Sequence, residues 1–137
     1  MPWLIDHIVL QVADVDRAVA FWRDLFGFAP TNLEKFRAGE AFFVTVRVSE
    51  TAILDLMPVG EAAPGPDSGE EGQRMNHFCL AIDGGGFAAL RERMDALGVP
   101  VAIGPMRAAG AQGIATSIWL RDPDGTLIEA RTYDPVG

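Results

Sequence analysis

The chain holds two histidines, His7 and His77, and each has a carboxylate standing at a similar distance downstream. Asp55, in "AILDLMP", follows His7 by 55 − 7 = 48 residues, and Glu129, in "TLIEAR", follows His77 by 129 − 77 = 52. Imidazole nitrogens with one or two carboxylate oxygens form a donor set suited to Zn²⁺, Ni²⁺, Mn²⁺ or Fe²⁺. Two His and one carboxylate leave coordination positions open for water or substrate. An ion with open positions polarises a bound oxygen and stabilises developing negative charge, so the pattern points to metal-assisted chemistry. Each residue taken alone also has a structural reading: a hydrogen-bonded histidine at a strand edge, or an acid paired with Arg47 or Arg131. The repeated placement is what favours the metal reading.

The elements that must position these residues also repeat. From Leu4 to Val12 apolar and polar residues alternate, with Ile8, Leu10 and Val12 on one face and His7, Val9 and Gln11 on the other. The period then changes. Asp14 is a candidate N-cap, and Val15, Ala18, Val19, Trp22, Leu25 and Phe26 recur at helical spacing until Gly27. Strands are predicted around Leu33 to Phe36, Ala41 to Val48 and Ala52 to Met57, giving β-α-β-β-β. Residues 58–76, rich in Pro, Gly and acids, read as a solvated linker. The same order then returns: a strand from His77, a helix whose face carries Phe87, Leu90, Met94 and Leu97 up to Gly98, and strands near Val99 to Ile103, Ile114 to Arg121 and Thr126 to Thr132. The expectation is one domain over residues 1–137, with a first module over about 1–57, a linker over 58–76 and a second module over about 77–137. Its class is α+β, two pseudo-symmetric βαβββ modules with helices outside the sheets.

Strand parity places the polar residues. Leu127, Glu129 and Arg131 share one face of the last strand, as His77, Cys79 and Ala81 do in the first strand of their module, while Phe78, Leu80 and Ile82 suit the helix side. Glu129 therefore points away from the helices. Phe43, Thr45, Arg47 and Trp119 are expected on the same concave side.

Composition narrows the partners. Eleven Lys and Arg stand against 19 Asp and Glu, a net charge of −8, which argues against nucleic acid. No apolar run approaches the ~20 residues that span a bilayer, and the start, "MPWLIDHIVL", lacks the basic region and cleavage site of a signal peptide. A cytoplasmic protein without a membrane partner is the expectation. One cysteine, Cys79, allows no internal disulfide and is expected as a buried, inert thiol.

The segments "IDHIVLQVADVDRAVAFWRDLFGF", "MNHFCLAID" and "SIWLRDPDGTLIEAR" closely resemble the signature segments of the vicinal oxygen chelate superfamily, which includes glyoxalase I, extradiol dioxygenases, fosfomycin-resistance enzymes, methylmalonyl-CoA epimerase and bleomycin-resistance proteins. The resemblance covers the chain apart from the linker. It implies paired βαβββ modules in an eight-stranded, cup-shaped mixed sheet around a divalent metal ion. It also implies His7, His77 and Glu129 as ligands. Asp55 matches a position where several members carry a longer side chain. Its alternatives are coordination through water, service as a base, or support of His7.

The departures sort the branches. Ring-cleaving members generally use further His and Tyr residues, and here both histidines are already assigned and Tyr133 is the only tyrosine. Fosfomycin-resistance enzymes carry Thr two residues after the first His, where this chain has Val9, and Tyr before "DP" in place of Trp119. Bleomycin-type binders usually lack the ligands. What the resemblance then implies is a metal-dependent enzyme of glyoxalase-like lyase or isomerase type acting on a small oxygen-rich substrate, with Asp55 and Glu129 as the carboxylates of the reaction. The alternatives are a non-catalytic sequestering protein of bleomycin-resistance type, or a dioxygenase. Phe43, Arg47, Trp119 and Arg131 are the candidate substrate contacts, with Arg107 in the Gly-rich "GPMRAAGAQG" segment a further cation. The family often builds its cup from modules of two chains, so the resemblance also implies a homodimer.

Overall fold

Alternation of apolar and polar residues from His7 sets the first strand in the computed structural model, which describes residues 3–59 and 75–136. The chain divides into two compact units, Met1–Gly72 and Gln73–Gly137. Most of the predicted linker, residues 60–74, lies outside the described residues.

In the first unit, strand β1 (His7–Val12) buries Leu10 and Val12 and exposes His7, Val9 and Gln11, as its alternation predicts. Helix α1 (Val15–Phe21) starts where the Asp14 side chain accepts the Arg17 N–H at 3.0 Å. It widens into a π-helical turn, Trp22–Phe26, which ends at Gly27 with φ +77°, a left-handed value that glycine adopts without steric cost. Trp22 and Leu25 are fully buried. Phe21, Phe26 and Phe28 surround Trp22 with ring centroids 4.8–5.8 Å away, so Trp22 sits in the core while the three phenylalanines, themselves half-buried, cover it.

Helix α2 (Leu33–Arg37) stands where a strand is predicted. Leu33 and Phe36 are three residues apart, a spacing that also fits one helical turn, and Leu, Glu, Lys and Arg favour that outcome. Strands β2 (Val44–Arg47) and β3 (Ile53–Pro58) follow, β2 shorter than predicted. Sheet order is β1-β3-β2, with β1 parallel and β2 antiparallel to β3. The edge of β2 is covered without a regular strand: Arg47 N–H donates to the Ala29 carbonyl at 3.0 Å and Thr31 N–H to the Thr45 carbonyl at 2.9 Å. Pro30, which has no N–H to give, bridges Val46 between them.

In the second unit, β4 (Phe78–Ala81) begins one residue after His77. Helix α3 (Gly84–Leu97) is capped by Asp83, which accepts the Gly86 N–H at 2.8 Å, and stops at left-handed Gly98. Phe87, Leu90 and Met94 are its buried stripe, while Leu97 is exposed. Strand β5 spans Ile103–Gly110 rather than 99–103, β6 spans Gly113–Arg121 and β7 spans Leu127–Thr132. The Gly-rich "GPMRAAGAQG" segment is mostly β5 and its turn. Ala and Gly have weak strand preference, and pairing from Met106↔Ser117 to Gly110↔Gly113 overrides it. Sheet order is β4-β7-β6-β5, β4 parallel to β7 and the other neighbours antiparallel.

Both sheets, with helices packed on them, make the α+β class of the sequence reading, and the described residues hold three and four strands. None of the described helices is long and apolar enough to cross a membrane.

Candidate metal and substrate site

The second unit brings His77 and Glu129 together. Ladder pairing sets Cys79 opposite Glu129 and Ala81 opposite Arg131, so His77, Cys79, Glu129 and Arg131 share a face, and Ile128 and Ala130 are buried on the other. His77 Nε2 stands 3.0 Å from Glu129 Oε1, its Nδ1 lies 2.7 Å from Asn76 Oδ1, and Trp119 meets the imidazole edge-on with centroids 6.1 Å apart. Glu129 is 4% exposed. Its Oε2 accepts from Ser117 Oγ at 2.7 Å and from Arg131 Nε and Nη2 at 3.1 and 2.6 Å. Burial works to raise the Glu129 pKa; the Arg131 and Ser117 hydrogen bonds, the Arg131 charge and the His77 contact overcome it and hold the group below its ordinary value. Arg131 is raised in turn, first by its hydrogen bond to Glu129.

The first unit places its residues on a matching face. Val9 pairs with Asp55, as Cys79 pairs with Glu129, and Asp55 is 6% exposed with Oδ1 accepting the Thr45 hydroxyl at 2.7 Å. His7 Nδ1 lies 2.7 Å from Asp6 Oδ2. That hydrogen bond raises the His7 pKa; desolvation opposes it and the Asp55 charge adds to it.

The remaining candidates divide. Phe43 is half-buried just before β2, Trp119 is buried, and Arg47 is exposed, bonded to the Ser49 carbonyl at 3.3 Å, beside a cavity of about 440 Å³ lined by Leu4, Asp6, Glu50, Thr51 and Ile53. Arg107 sits on β5 and donates to Thr116 Oγ1 at 3.1 Å. Arg131 lines a cavity of about 260 Å³ with Cys79, Ala109, Gly110, Glu129 and Tyr133. Its Nη2 also donates to the Ala109 carbonyl and its Nη1 to the Tyr133 hydroxyl, so four of its five N–H groups are committed. Cys79 is exposed rather than buried. Its thiol is nevertheless pushed up to about 11, by desolvation first and the Glu129 charge second.

Sequence reasoning missed Ser117, Asp6 and Asn76. Ser117 is two residues before Trp119 and so shares its face. Asp6 and Asn76 each precede a histidine, in "DH" and "NH", a repeat visible once the modules are aligned.

The donor chemistry fits a divalent ion. A carboxylate accepts only, so Asp6 fixes the proton of neutral His7 on Nδ1 and leaves the Nε2 lone pair for a ligand bond. His77 Nε2 and Glu129 Oε1 stand 3.0 Å apart, a hydrogen-bond contact between two groups that both serve as divalent-metal ligands. Among the described residues no three His, Cys, Asp or Glu side chains form a cluster of their own.

A family model described as Glyoxalase/Bleomycin resistance protein/Dioxygenase superfamily matches residues 4–130. The metallothiol transferase FosB of Shouchella clausii is 30% identical over 93% of this chain and 79% of its own length. The lactoylglutathione lyase of Salmonella typhimurium is 27% identical over 90% of this chain and 87% of that protein. Among solved structures, an integron cassette protein from the mobile metagenome of V. cholerae superposes with a TM-score of 0.73 at 25% identity, covering 98% of both chains.

Proposed function

The chain belongs to the Glyoxalase/Bleomycin resistance protein/Dioxygenase superfamily, and on that premise we propose that it is a divalent-metal-dependent enzyme acting on a small oxygen-rich substrate by glyoxalase-like lyase or isomerase chemistry. The proposed ligands are His7, His77 and Glu129. A bound Zn²⁺, Ni²⁺, Mn²⁺ or Fe²⁺ would supply Lewis-acid stabilisation of negative charge developing on substrate oxygen.

One observation carries this reading: the buried Glu129 carboxylate is divided, Oε2 held by Arg131 and Ser117 while Oε1 faces His77 Nε2 at 3.0 Å. His7 is supported as the further ligand because it holds in its own sheet the place His77 holds in the other, with its Nδ1 likewise engaged by the preceding residue.

The chain's own residues then divide the work. Asp55 is the proposed base, accepting a substrate proton at Oδ2 while the Thr45 hydroxyl holds Oδ1. Met57 stands two residues after Asp55, where Arg131 follows Glu129, so Asp55 has no arginine from its own strand to neutralise it. Phe43 and Trp119 are proposed to pack against apolar parts of the substrate. Arg47 and the remaining Nη1 N–H of Arg131 are proposed to meet substrate oxygens. A homodimer is proposed on the same premise, to be checked by light scattering.

The test is metal analysis of protein purified without added metal, followed by titration with Ni²⁺, Zn²⁺, Mn²⁺ and Fe²⁺. Uptake of about one equivalent, lost in His77→Ala, is expected. No uptake by the wild-type chain would sink the enzyme reading and leave a non-catalytic binder, which predicts ligand quenching of Trp fluorescence that survives His7→Ala.

A further inference from the structure

The inequality of the two Glu129 oxygens has a source that β7 alone does not provide. Arg131 follows Glu129 on the same face of the strand, and both side chains are buried. A guanidinium there needs a seat, and the tip of the β5–β6 hairpin supplies it together with Tyr133 just after β7. The Ala109 carbonyl accepts from Nη2 at 3.0 Å, and the Tyr133 hydroxyl accepts from Nη1 at 3.3 Å and from the Gln112 N–H at 3.1 Å. Between them Gly110 leaves the necessary space: a Cβ at that position would overlap the Arg131 guanidinium and come within 2.7 Å of the Tyr133 hydroxyl. The hairpin tip is therefore shaped around one side chain, whose fork is spent on one carboxylate oxygen.

A carboxylate with both oxygens free can bind an ion through one or both, and can swing between the two. We propose that Arg131 is a positioning residue for the metal centre: seated by Gly110, Ala109 and Tyr133, it occupies Oε2 of Glu129 and presents Oε1 as the single ligand oxygen beside His77. This assignment rests on the metal-enzyme reading above. It makes the hairpin tip part of the ligand's support, since moving the tip moves the guanidinium and releases Oε2.

The experiment uses the full chain and Co²⁺ as the probe, whose visible absorption reports coordination number and whose affinity is read by chelator competition. Arg131→Met is expected to weaken Co²⁺ binding by about 10- to 100-fold and to change the spectrum. Arg131→Lys, which keeps a charge but not the planar fork, is expected to fall between the two. Should Arg131→Met fail to fold, Gly110→Ala decides the matter, because it retains Arg131 and displaces it; weaker binding with a changed spectrum is again expected. Wild-type affinity and spectrum in folded Arg131→Met, or in Gly110→Ala, would overturn the assignment. If the wild-type chain takes up no Co²⁺, the enzyme reading fails, and the metal-free protein tests the positioning separately by NMR. An Arg131 Nε–H signal protected from solvent exchange, and deprotected in Glu129→Gln, supports the clamp; a rapidly exchanging signal in the wild type overturns it.

Discussion

Glu129 and Asp55 hold the same ladder position in their separate sheets: Glu129 pairs with Cys79, two residues after His77, and Asp55 pairs with Val9, two residues after His7. Each also accepts a hydroxyl at 2.7 Å, from Ser117 and Thr45 respectively. They differ in charge partner, since Arg131 clamps Glu129 and Met57 stands at the matching place after Asp55.

That difference predicts different losses from the isosteric amides. On the proposed ligand set, Glu129→Gln removes a ligand charge and is expected to weaken Zn²⁺ binding by about 10-fold or more. With Asp55 as the proposed base, Asp55→Asn is expected to keep affinity within about threefold while abolishing the proposed turnover. Competition titration of both variants checks this; equal loss of affinity would place Asp55 on the metal.

Asp6 and Asn76 each engage Nδ1 of the histidine that follows, at 2.7 Å in both units. Support of this kind orients the ring and keeps Nε2 available to a metal. Asp6→Ala is expected to lower metal affinity several-fold, Asp6→Asn, which retains an acceptor, much less. Two-dimensional ¹⁵N NMR of His7 checks the cause, the Nδ1–H tautomer giving way to a mixture in Asp6→Ala.

Asn32, just before the helix that stands where a strand is predicted, donates to the Phe43 carbonyl at 3.0 Å and accepts from the Thr45 N–H at 2.8 Å. Asn32→Ala strands both backbone groups and is expected to cost about 1–3 kcal/mol in urea unfolding. Because Thr45 also holds Asp55, turnover is expected to fall with it; unchanged stability would show that water takes over both bonds.

Asp122 builds the "DPDG" turn, its Oδ1 accepting the Asp124 and Thr126 N–H groups at 2.9 and 2.8 Å. Burial raises its pKa above the ordinary 3.8 despite these bonds, chiefly those from Thr126 and Asp124. A raised carboxyl holds its proton to higher pH in the folded state, so the ionised form costs stability above the folded pKa, and that cost vanishes as pH falls toward 3.8. Asp122→Asn keeps the acceptor and is expected to match or exceed wild-type stability at pH 7, the difference shrinking on acidification. Asp122→Ala is expected to lose about 1–3 kcal/mol. Denaturation curves over this pH range test both.

The sequence by itself determined which residues share a face. Periods of two and of 3.6 are local properties of a chain, so the alternation around His7, the helical stripes of Trp22 and Phe87 and the outward parity of Glu129 were all legible, as was the family. It did not settle Leu33 to Arg37, where one apolar spacing fits strand or helix, nor β5, whose Ala and Gly residues become a strand only by pairing with β6. Tertiary structure alone decided how the polar side chains meet. Arg131 was readable as a cation facing substrate. That it spends its fork on Glu129 depends on the Ala109 carbonyl and the missing side chain of Gly110, both from another strand, and on the Tyr133 hydroxyl just beyond its own. The Ala109 and Gly110 contacts join residues 131 − 109 = 22 and 131 − 110 = 21 apart in the chain, and a buried charge selects such partners because it cannot remain unpaired.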